Sequence, residues 1–351
     1  MKRFLLLVSI PLISFYSSGQ YRSENLFYMT DTPESFESFV RNLRQISIVC
    51  PQTFLISREG VLSGSVDRRV IDSAKKYKIQ VVPLIVNSGF TAPLLHQVVT
   101  NPVARKRSIQ MILEYARIYQ LDGWQFDLEG LHISDKDSFT AYYKETAAAL
   151  HAAGLTLSAA VVHQVEKVGG TTPYHNFLFE SWRAGYDLKA MATYGDFLSI
   201  MSYDQHTRRT PPGPVAGYAW VERVIQFLLG EGIPAEKISM GVPNYSVRWF
   251  PDYTEERGGF SNGQQIPYKT VQHYLAKNNA TVQWDEKGKC HYAVWDNDGV
   301  NEYMYIEDAR SFKEKLRLLQ QYKLRGISVW VLGKEDPAFW NVLSAETIAK
   351  K

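Results

Sequence analysis

The sequence has 351 residues, of which 45% are hydrophobic, 21% charged and 13% aromatic, so it can bury the core of one large globular domain or of two modest ones. This balance excludes a disordered chain, a coiled coil and a collagen. The net charge is only +3 and no basic stripe is visible, so neither nucleic acid nor an anionic membrane surface is expected as a partner.

The first 19 residues have the three parts of an export signal. Lys2 and Arg3 precede an apolar run from Phe4 to Phe15, and small residues follow it. The run is shorter than the ~20 residues of a membrane-spanning helix, and a short membrane anchor is the alternative. We predict a signal peptide over residues 1–19, with cleavage after Gly19. The protein is then secreted, to the extracellular space or the periplasm, with no further membrane contact.

Short runs of β-branched and aromatic residues alternate with longer helical patterns along the rest of the chain. An open doubly wound sheet usually has a glycine-rich phosphate turn after its first strand, and this sequence has none. Eight strand–helix units therefore predict an α/β fold, a (β/α)8 TIM barrel. The predicted strands are Leu26–Thr30, Ile46–Cys50, Gln80–Val86, Gly123–Leu128, Thr156–Val162, Phe197–Tyr203, Ile238–Tyr245 and Gly326–Leu332.

Four residues mark predicted helix ends. Thr32 and Asn101 each precede a proline, which suits the first helical position, and Ser65 precedes an amphipathic run. All three are predicted N-caps, because a side-chain oxygen there accepts from the free backbone N–H groups of the first turn. Gly154 is predicted to end the helix that follows the fourth strand.

One connection is too long for a barrel loop. About 80 residues separate Tyr245 from Gly326, whereas such connections usually have about 2 to 6. We predict one catalytic domain over residues 20–351, with a small α+β lobe inserted at about residues 246–305, between strands seven and eight. Since the C-terminal ends of barrel strands carry the active site, this lobe is expected to form one wall of a cleft.

The segment from Asp122 to Glu129 has a row of polar side chains at alternate positions. Gln125, Asp127 and Glu129 share one strand face, and apolar residues occupy the other. Two acids inside a barrel are costly, because burial penalises each charge and each carboxylate raises the pKa of the other. The pattern favours a functional pair of acids, with Glu129 nearest a ligand. An exposed edge strand or internal ion pairs are the alternatives.

These residues match a known signature. Asp122-Gly123-x-x-x-Asp127-x-Glu129 resembles the fourth-strand motif of glycoside hydrolase family 18, the chitinases and their relatives. The resemblance runs from about Asn25 to Leu343 and is closest to the bacterial cortex-lytic and spore-germination glucosaminidases. Further similar elements are Met201-Ser202-Tyr203-Asp204-Gln205-His206, Gly213–Tyr218, Gly241–Tyr245 and Gly326–Trp330.

The resemblance implies a secreted retaining glycosidase that cleaves β-N-acetylglucosaminyl linkages in peptidoglycan or a chitin-like polymer. In such enzymes the substrate's own 2-acetamido oxygen attacks the anomeric carbon, so one protein acid suffices. The resemblance assigns three catalytic residues: Glu129 protonates the glycosidic oxygen and later activates water, Asp127 orients the acetamido N–H, and Tyr203 holds the acetamido oxygen.

The resemblance also implies that Trp330 is a platform for the sugar and that Met201, Asp204 and Tyr245 line the same pocket. Each has a structural alternative: Met201 and Tyr245 as barrel-layer residues, Asp204 as a loop cap, and Trp330 as core.

Gln125 departs from the family, which commonly has Asp at this place. Gln125 can still hydrogen-bond Asp127 but cannot exchange a proton with it, and we predict that Gln125 belongs to the substrate site.

Several questions stay open at this level. A non-catalytic lectin on the same barrel is the main alternative function, although lectin-like relatives usually lose the acid that Glu129 provides. A barrel hydrolase that uses Asp127 and Glu129 as metal ligands is a third reading. No set of residues with metal-ligand spacing accompanies His163 or His206, so neither metal nor cofactor is expected. We expect a monomer. The two cysteines either pair or stay free, and the lobe's Trp249, Trp284 and Trp295 form either sugar subsites or its core.

Overall fold

The computed structural model describes residues 20–251 and 262–351, so the predicted signal peptide lies outside the described residues. The strands are β1 (Tyr21–Met29), β2 (Ile48–Ile56), β3 (Leu62–Gly64), β4 (Gln80–Val81), β5 (Leu84–Asn87), β6 (Gly123–Asp127), β7 (Thr156–Val162), β8 (Phe197–Met201), β9 (Ile238–Pro243), β10 (Ser246–Phe250), β11 (Asn262–Ile266), β12 (Val282–Asp285), β13 (Cys290–Asn297), β14 (Val300–Ile306), β15 (Gly326–Trp330) and β16 (Thr347–Ala349).

The helices alternate with these strands. They are α1 (Pro33–Arg41), α2 (Arg68–Tyr77), α3 (Ala92–Thr100), α4 (Pro102–Tyr119), α5 (Lys136–Ala152), α6 (Pro173–Leu178), α7 (Leu188–Tyr194), α8 (Tyr218–Gly230), α9 (Tyr268–Lys277), α10 (Ala309–Gln321) and α11 (Phe339–Glu346). A π-helical turn, Phe179–Arg183, continues α6. Within the described ranges, no helix is both long and apolar enough to span a bilayer.

Eight parallel strand positions close into a barrel, which confirms the predicted fold class. Neighbours around the barrel are β1, β2, β5, β6, β7, β8, β9 and β15, and the ring closes because β15 pairs with β1. Each of the eight predicted strands overlaps one of these positions. The third position is broken into β4 and β5 at Pro83, which has no N–H to donate to a ladder.

The predicted helix ends are right at three of four positions. Thr32 accepts a hydrogen bond from the Ser35 N–H, and Asn101 accepts one from the Val103 N–H at 3.0 Å. Ser65 is wrong as a cap. The chain stays extended there because Leu62–Gly64 pairs with β2, and Asp67 instead caps α2 by accepting from the Arg69 N–H at 2.8 Å.

Gly154 ends α5 as predicted. Its φ is +73°, its N–H donates to the His151 carbonyl, and the Leu155 N–H donates to the Leu150 carbonyl. These two bonds form a Schellman motif, which needs a left-handed residue at this point.

The insertion between β9 and β15 carries its own sheet. Five antiparallel strands run in the order β11, β10, β14, β13, β12, and α9 packs on them through Val271. Trp295 lies in this lobe's core and Trp249 in the barrel's core, while Trp284 lies under the Arg310 guanidinium group. Trp295 therefore has the predicted role in the lobe's own core, whereas Trp249 packs in the core of the barrel. Both Cys50 and Cys290 are buried free thiols.

Candidate active site

The fourth barrel strand, β6, directs its apolar residues outward and its polar residues inward. Trp124 and Phe126 pack in the layer between barrel and helices, and the Trp124 indole N–H donates to the Ile112 carbonyl of α4 at 3.1 Å. Gln125 and Asp127 therefore lie inside the barrel, both buried.

Gln125 belongs to an uncharged polar layer across the barrel interior. Its amide N–H group donates to the hydroxyls of Ser158, at 2.9 Å, and Ser199, at 3.1 Å. Ser328 joins this layer through hydroxyl contacts with Ser199 and Ser239. The Gln125 side chain has no exposed surface, and the part of the chain that the structure describes contains no hydrogen bond between Gln125 and Asp127. Its substrate-site role stays a prediction.

Asp127 is a carboxyl group with very little solvation. Only 5% of the residue is exposed, and its Oδ1 has no hydrogen-bond partner among the described residues. Burial raises the pKa of Asp127 to about 7, and the neighbouring Gln52 amide opposes that rise. Burial therefore favours the neutral form of this carboxyl more than in an exposed aspartate.

Glu129 lies just beyond the end of β6, and its main chain is held from two sides. Asn87, the last residue of β5, donates to the Glu129 carbonyl at 2.8 Å and accepts from the Glu129 N–H at 2.9 Å. The Tyr186 hydroxyl donates to the preceding carbonyl, of Leu128, at 2.7 Å. Sequence reasoning missed Asn87 and Tyr186; the only signal was the position of Asn87 at a strand end beside the acid-bearing strand.

The Glu129 carboxyl is strongly biased toward its neutral form. Burial is the main cause that raises its pKa well above the ordinary value, and the charges of Asp127 and Asp204 add to the rise. A carboxyl that keeps its proton near neutral pH has the property required of a general acid.

Tyr203 and Asp204 follow β8 and face the acids. Tyr203 is 7% exposed, and burial raises the pKa of its hydroxyl, which therefore keeps its proton. Asp204 accepts a hydrogen bond from the Tyr245 hydroxyl. Burial raises the pKa of Asp204, while the Tyr245 and Gln265 hydrogen bonds and the Lys334 charge oppose the rise. Gln265 belongs to the inserted lobe, so the lobe reaches the site.

Trp330 and Met201 are half-buried at the ends of β15 and β8. The Trp330 ring lies 5.3 Å from the Tyr28 ring between centroids, tilted by 53°. The peptide bond from Trp330 to Val331 is cis. Met201 packs against the barrel core, and its carbonyl accepts from the His163 ring.

A cavity of about 990 Å³ opens over this end of the barrel, and lobe residues including Gln264 and Gln265 line one side. Four of the eight predicted site residues line it, namely Glu129, Met201, Tyr203 and Asp204. The remaining four are not among its lining residues: Gln125, Asp127, Tyr245 and Trp330. Over the described ranges, no three His, Cys, Asp or Glu side chains are grouped as a metal site requires.

Comparison with known families places this geometry. The model of the family described as "Glycosyl hydrolases family 18" matches residues 65–335, which include the acid-bearing strand and every other predicted site residue.

Individual relatives agree with that match. The chain is 24% identical to the "Uncharacterized glycosylase YvbX" of Bacillus subtilis, covering 99% of this chain and 100% of that one. It is 28% identical to the "Cortical fragment-lytic enzyme" of Bacillus subtilis, covering 81% of this chain and 63% of the relative. The solved chitinase of Chromobacterium violaceum superposes with a TM-score of 0.81 at 26% identity, covering 94% and 100% of the two chains. The Bacillus cereus spore cortex-lytic enzyme SleL shares the fold, with a TM-score of 0.84 at 21% identity over 95% and 76%.

Proposed function

This chain belongs to glycosyl hydrolase family 18 and is a glycosidase, and from that premise we propose that it hydrolyses β-N-acetylglucosaminyl linkages with retention of configuration. The observation that carries the proposal is the arrangement around Glu129. A carboxyl with a strongly raised pKa lines a large cavity together with Tyr203, and a second carboxyl, Asp127, lies buried behind it.

Glu129 acts first as the general acid. Its raised pKa means that it carries the proton that the glycosidic oxygen needs as the bond to the anomeric carbon breaks. Once deprotonated, it accepts a proton from the water that completes hydrolysis. The Asn87 and Tyr186 contacts to the main chain on either side of Glu129 hold the carboxyl in place for both steps.

The nucleophile is the 2-acetamido oxygen of the substrate. Asp127 accepts a hydrogen bond from the acetamido N–H through an oxygen that has no partner among the described residues. Its negative form then stabilises the positive charge of the oxazolinium intermediate. Tyr203 keeps its proton because of its raised pKa, and its hydroxyl donates to the acetamido oxygen in line with the anomeric carbon.

Asp204, Tyr245 and Trp330 complete the proposed site. The Tyr245 hydroxyl fixes the Asp204 carboxyl, which leaves the second oxygen of that carboxyl for a sugar hydroxyl or for the Gln265 amide. Trp330 offers an apolar ring face to the sugar at the cleavage point.

The nature of the relatives supports a substrate that contains N-acetylglucosamine. One relative at 28% identity is named a cortical fragment-lytic enzyme, and one solved structure at 26% identity is a chitinase. We therefore propose a peptidoglycan or chitin-like glycan as the substrate.

Product analysis tests this function. Purified protein is incubated with chito-oligosaccharides and with sacculi, and the products are identified by mass spectrometry. We expect new reducing ends at N-acetylglucosamine from the wild type, and a rate lowered at least ~10²-fold in Glu129→Gln, which keeps the shape of the side chain and loses its proton. Equal turnover by a folded Glu129→Gln protein removes Glu129 from the mechanism.

We also propose that the protein is exported and that residues 1–19 are removed. Two basic residues before a short apolar run and small residues up to Gly19 support this. The mass of the protein recovered outside the cytoplasm is expected to correspond to a chain that begins at Gln20. A full-length chain retained inside the cell contradicts export.

A further inference from the structure

Among the described residues, the wall of the cavity beside Glu129 has more positively than negatively charged side chains. Four arginines are among its lining residues, namely Arg183, Arg208, Arg209 and Arg223. An arginine side chain stays protonated in proteins, so all four remain charged.

The acids in the same cavity do not balance these charges. Burial raises the pKa of both Glu129 and Asp204, which favours their neutral forms. Glu166 is the remaining carboxyl among the lining residues. Among residues 20–251 and 262–351, the arginine ion pairs all involve other arginines, and none joins these four to a carboxylate.

Arg183 is held at this wall by a neutral partner. The His163 ring contacts the Met201 carbonyl through Nδ1, at 3.2 Å, and an Arg183 guanidinium nitrogen through Nε2, at 3.0 Å. A carbonyl only accepts and a guanidinium only donates, so Nδ1 carries the proton and Nε2 accepts. Burial, with the Arg183 charge adding to it, lowers the pKa of His163 to about 3, which agrees with a neutral ring. His163 therefore fixes the guanidinium group without cancelling its charge.

Two tryptophans line the same cavity as the arginines. Trp182 and Trp220 line the same cavity, and the Trp220 ring lies 4.6 Å from the His163 ring between centroids. Indole rings suit the apolar faces of sugars, and a guanidinium group binds a carboxylate through two parallel hydrogen bonds. A neutral chitin chain has no carboxylate that could pair with these guanidinium groups.

We propose that this arginine wall binds a carboxylate carried by the glycan, so that the preferred substrate is an acidic N-acetylated glycan and not neutral chitin. The inference rests on the proposed function and names its substrate class. In a peptidoglycan strand the carboxylate belongs either to the lactyl ether of muramic acid or to a stem peptide.

Matched glycans test the proposal. Chito-oligosaccharides are compared with three kinds of peptidoglycan strand of equal length. The first keeps its stem peptides, the second has lost them and has free lactyl carboxylates, and the third has its carboxylates reduced to alcohols. At low ionic strength we expect kcat/KM on a carboxylate-bearing strand to exceed that on the reduced strand by about tenfold or more, with the gap narrowing as salt is added. Comparison of kcat/KM between the stem-free strands and the intact strands shows whether the lactyl or the stem-peptide carboxylate is bound.

Variants of the wall separate charge from structure. The preference is the ratio of kcat/KM on the carboxylate-bearing strand to that on the reduced strand. Arg183→Gln and Arg223→Gln are each expected to lower this ratio about threefold or more, while Arg183→Lys retains part of it. Arg223 is exposed on α8, so its variant stays informative if Arg183→Gln fails to fold. Glu166→Gln removes the opposing charge and is expected to widen the preference. Arg117→Gln, an exposed arginine on α4 away from the cavity, controls for net charge and leaves the preference unchanged.

The results distinguish the two levels of the account. Cleavage of every glycan with equal efficiency overturns the carboxylate proposal and leaves the proposed function standing. Failure of the wild type to cleave any of them, chito-oligosaccharides included, removes the proposed function, and this inference falls with it.

Discussion

At the scale of single residues, the position of Glu129 depends on a neighbour that takes no part in the chemistry. Asn87 uses both ends of its amide to hold the Glu129 main chain, and its own side chain is buried. A catalytic group that is misplaced by about 1 Å can lose ~10²-fold in rate. The two hydrogen bonds from Asn87 are therefore expected to matter for catalysis as well as for stability.

We predict that Asn87→Ala lowers kcat by about tenfold or more and lowers the free energy of unfolding by about 1–3 kcal/mol, the scale of lost buried hydrogen bonds. The matched control is Asn25→Ala. Asn25 is equally buried and donates to the Gln45 carbonyl at 2.9 Å, away from the site. Steady-state kinetics and urea unfolding are measured on both. A kcat loss of the same size in the two variants shows that Asn87 acts only through stability.

Asp127 is predicted to lower the stability of the fold at neutral and alkaline pH. Its pKa is about 7 in the folded protein, against ~3.9 in an unfolded chain, so the folded state binds the proton more tightly. The stability that the folded state gains from this tighter proton binding is present below about pH 4 and is lost as pH rises toward 7.

Asp127→Asn, which is neutral at every pH, is therefore expected to gain stability relative to the wild type between about pH 4 and 7, with little further gain above, while its activity falls. Thermal or urea unfolding across this range measures the difference. Asp137→Asn, at an exposed position on α5, is the control and has no such gain. A difference between Asp127→Asn and wild type that does not change with pH contradicts the buried-carboxyl account.

At the scale of elements, helix ends were predictable where one local interaction decides them. Thr32 and Asn101 cap their helices as their sequence context indicates, and Gly154 ends α5. The Ser65 prediction failed because the competing interaction lies outside the first turn of the helix. Leu62–Gly64 forms a hairpin with β2, and α2 therefore begins only at Arg68. The split at Pro83 was available from the sequence, since a proline cannot donate to the ladder, and the predicted continuous strand overlooked it.

Comparison of two glycines with open surroundings separates the effect of backbone conformation at the end of α5 from the effect of side-chain clashes. A Cβ at either Gly154 or Gly230 meets no atom within 4 Å, and only Gly154 has a positive φ, of +73°. We predict that Gly154→Ala lowers the free energy of unfolding by about 1–2 kcal/mol, because an L-residue is strained in this region.

The partner variant, Gly230→Ala at the end of α8, should leave stability unchanged or raise it by up to about 1 kcal/mol, since alanine favours the helix. Chemical denaturation of the two proteins gives both values. Equal losses in both would show that the left-handed geometry of Gly154 is not what makes glycine necessary there.

At the scale of the whole molecule, the barrel was predictable because eight strand–helix units follow one another along the chain and no glycine-rich phosphate turn follows the first strand. The inserted lobe followed from the length of the connection between Tyr245 and Gly326, although its strand order did not. Interactions between distant segments were beyond sequence reasoning. Three such interactions join residues that lie 20 to 58 positions apart: the Asn87–Glu129 hydrogen bonds, the Tyr186–Leu128 hydrogen bond and the His163–Arg183 contact.

The same limit applies to the site. The acids were identified from alternation on one strand, but their different environments depend on what surrounds them in the folded chain. Gln125 is able to hydrogen-bond Asp127, but its described hydrogen bonds go to Ser158 and Ser199 in the barrel interior. The arginine wall draws on the π-helical turn after α6, the loop after β8, and α8, so no local motif signals it.

The central claim is that Glu129 and Asp127 serve a reaction in which the substrate supplies the nucleophile. Proton NMR of the first-formed product tests it most directly, with a chito-oligosaccharide as substrate and spectra taken before the anomers equilibrate. The 2-acetamido oxygen attacks the anomeric carbon from the face opposite the leaving group, and water then attacks from the face that the leaving group has vacated. The β-anomer is therefore predicted to appear first. An α-anomer as the first product would mean direct displacement by water, and would contradict the account.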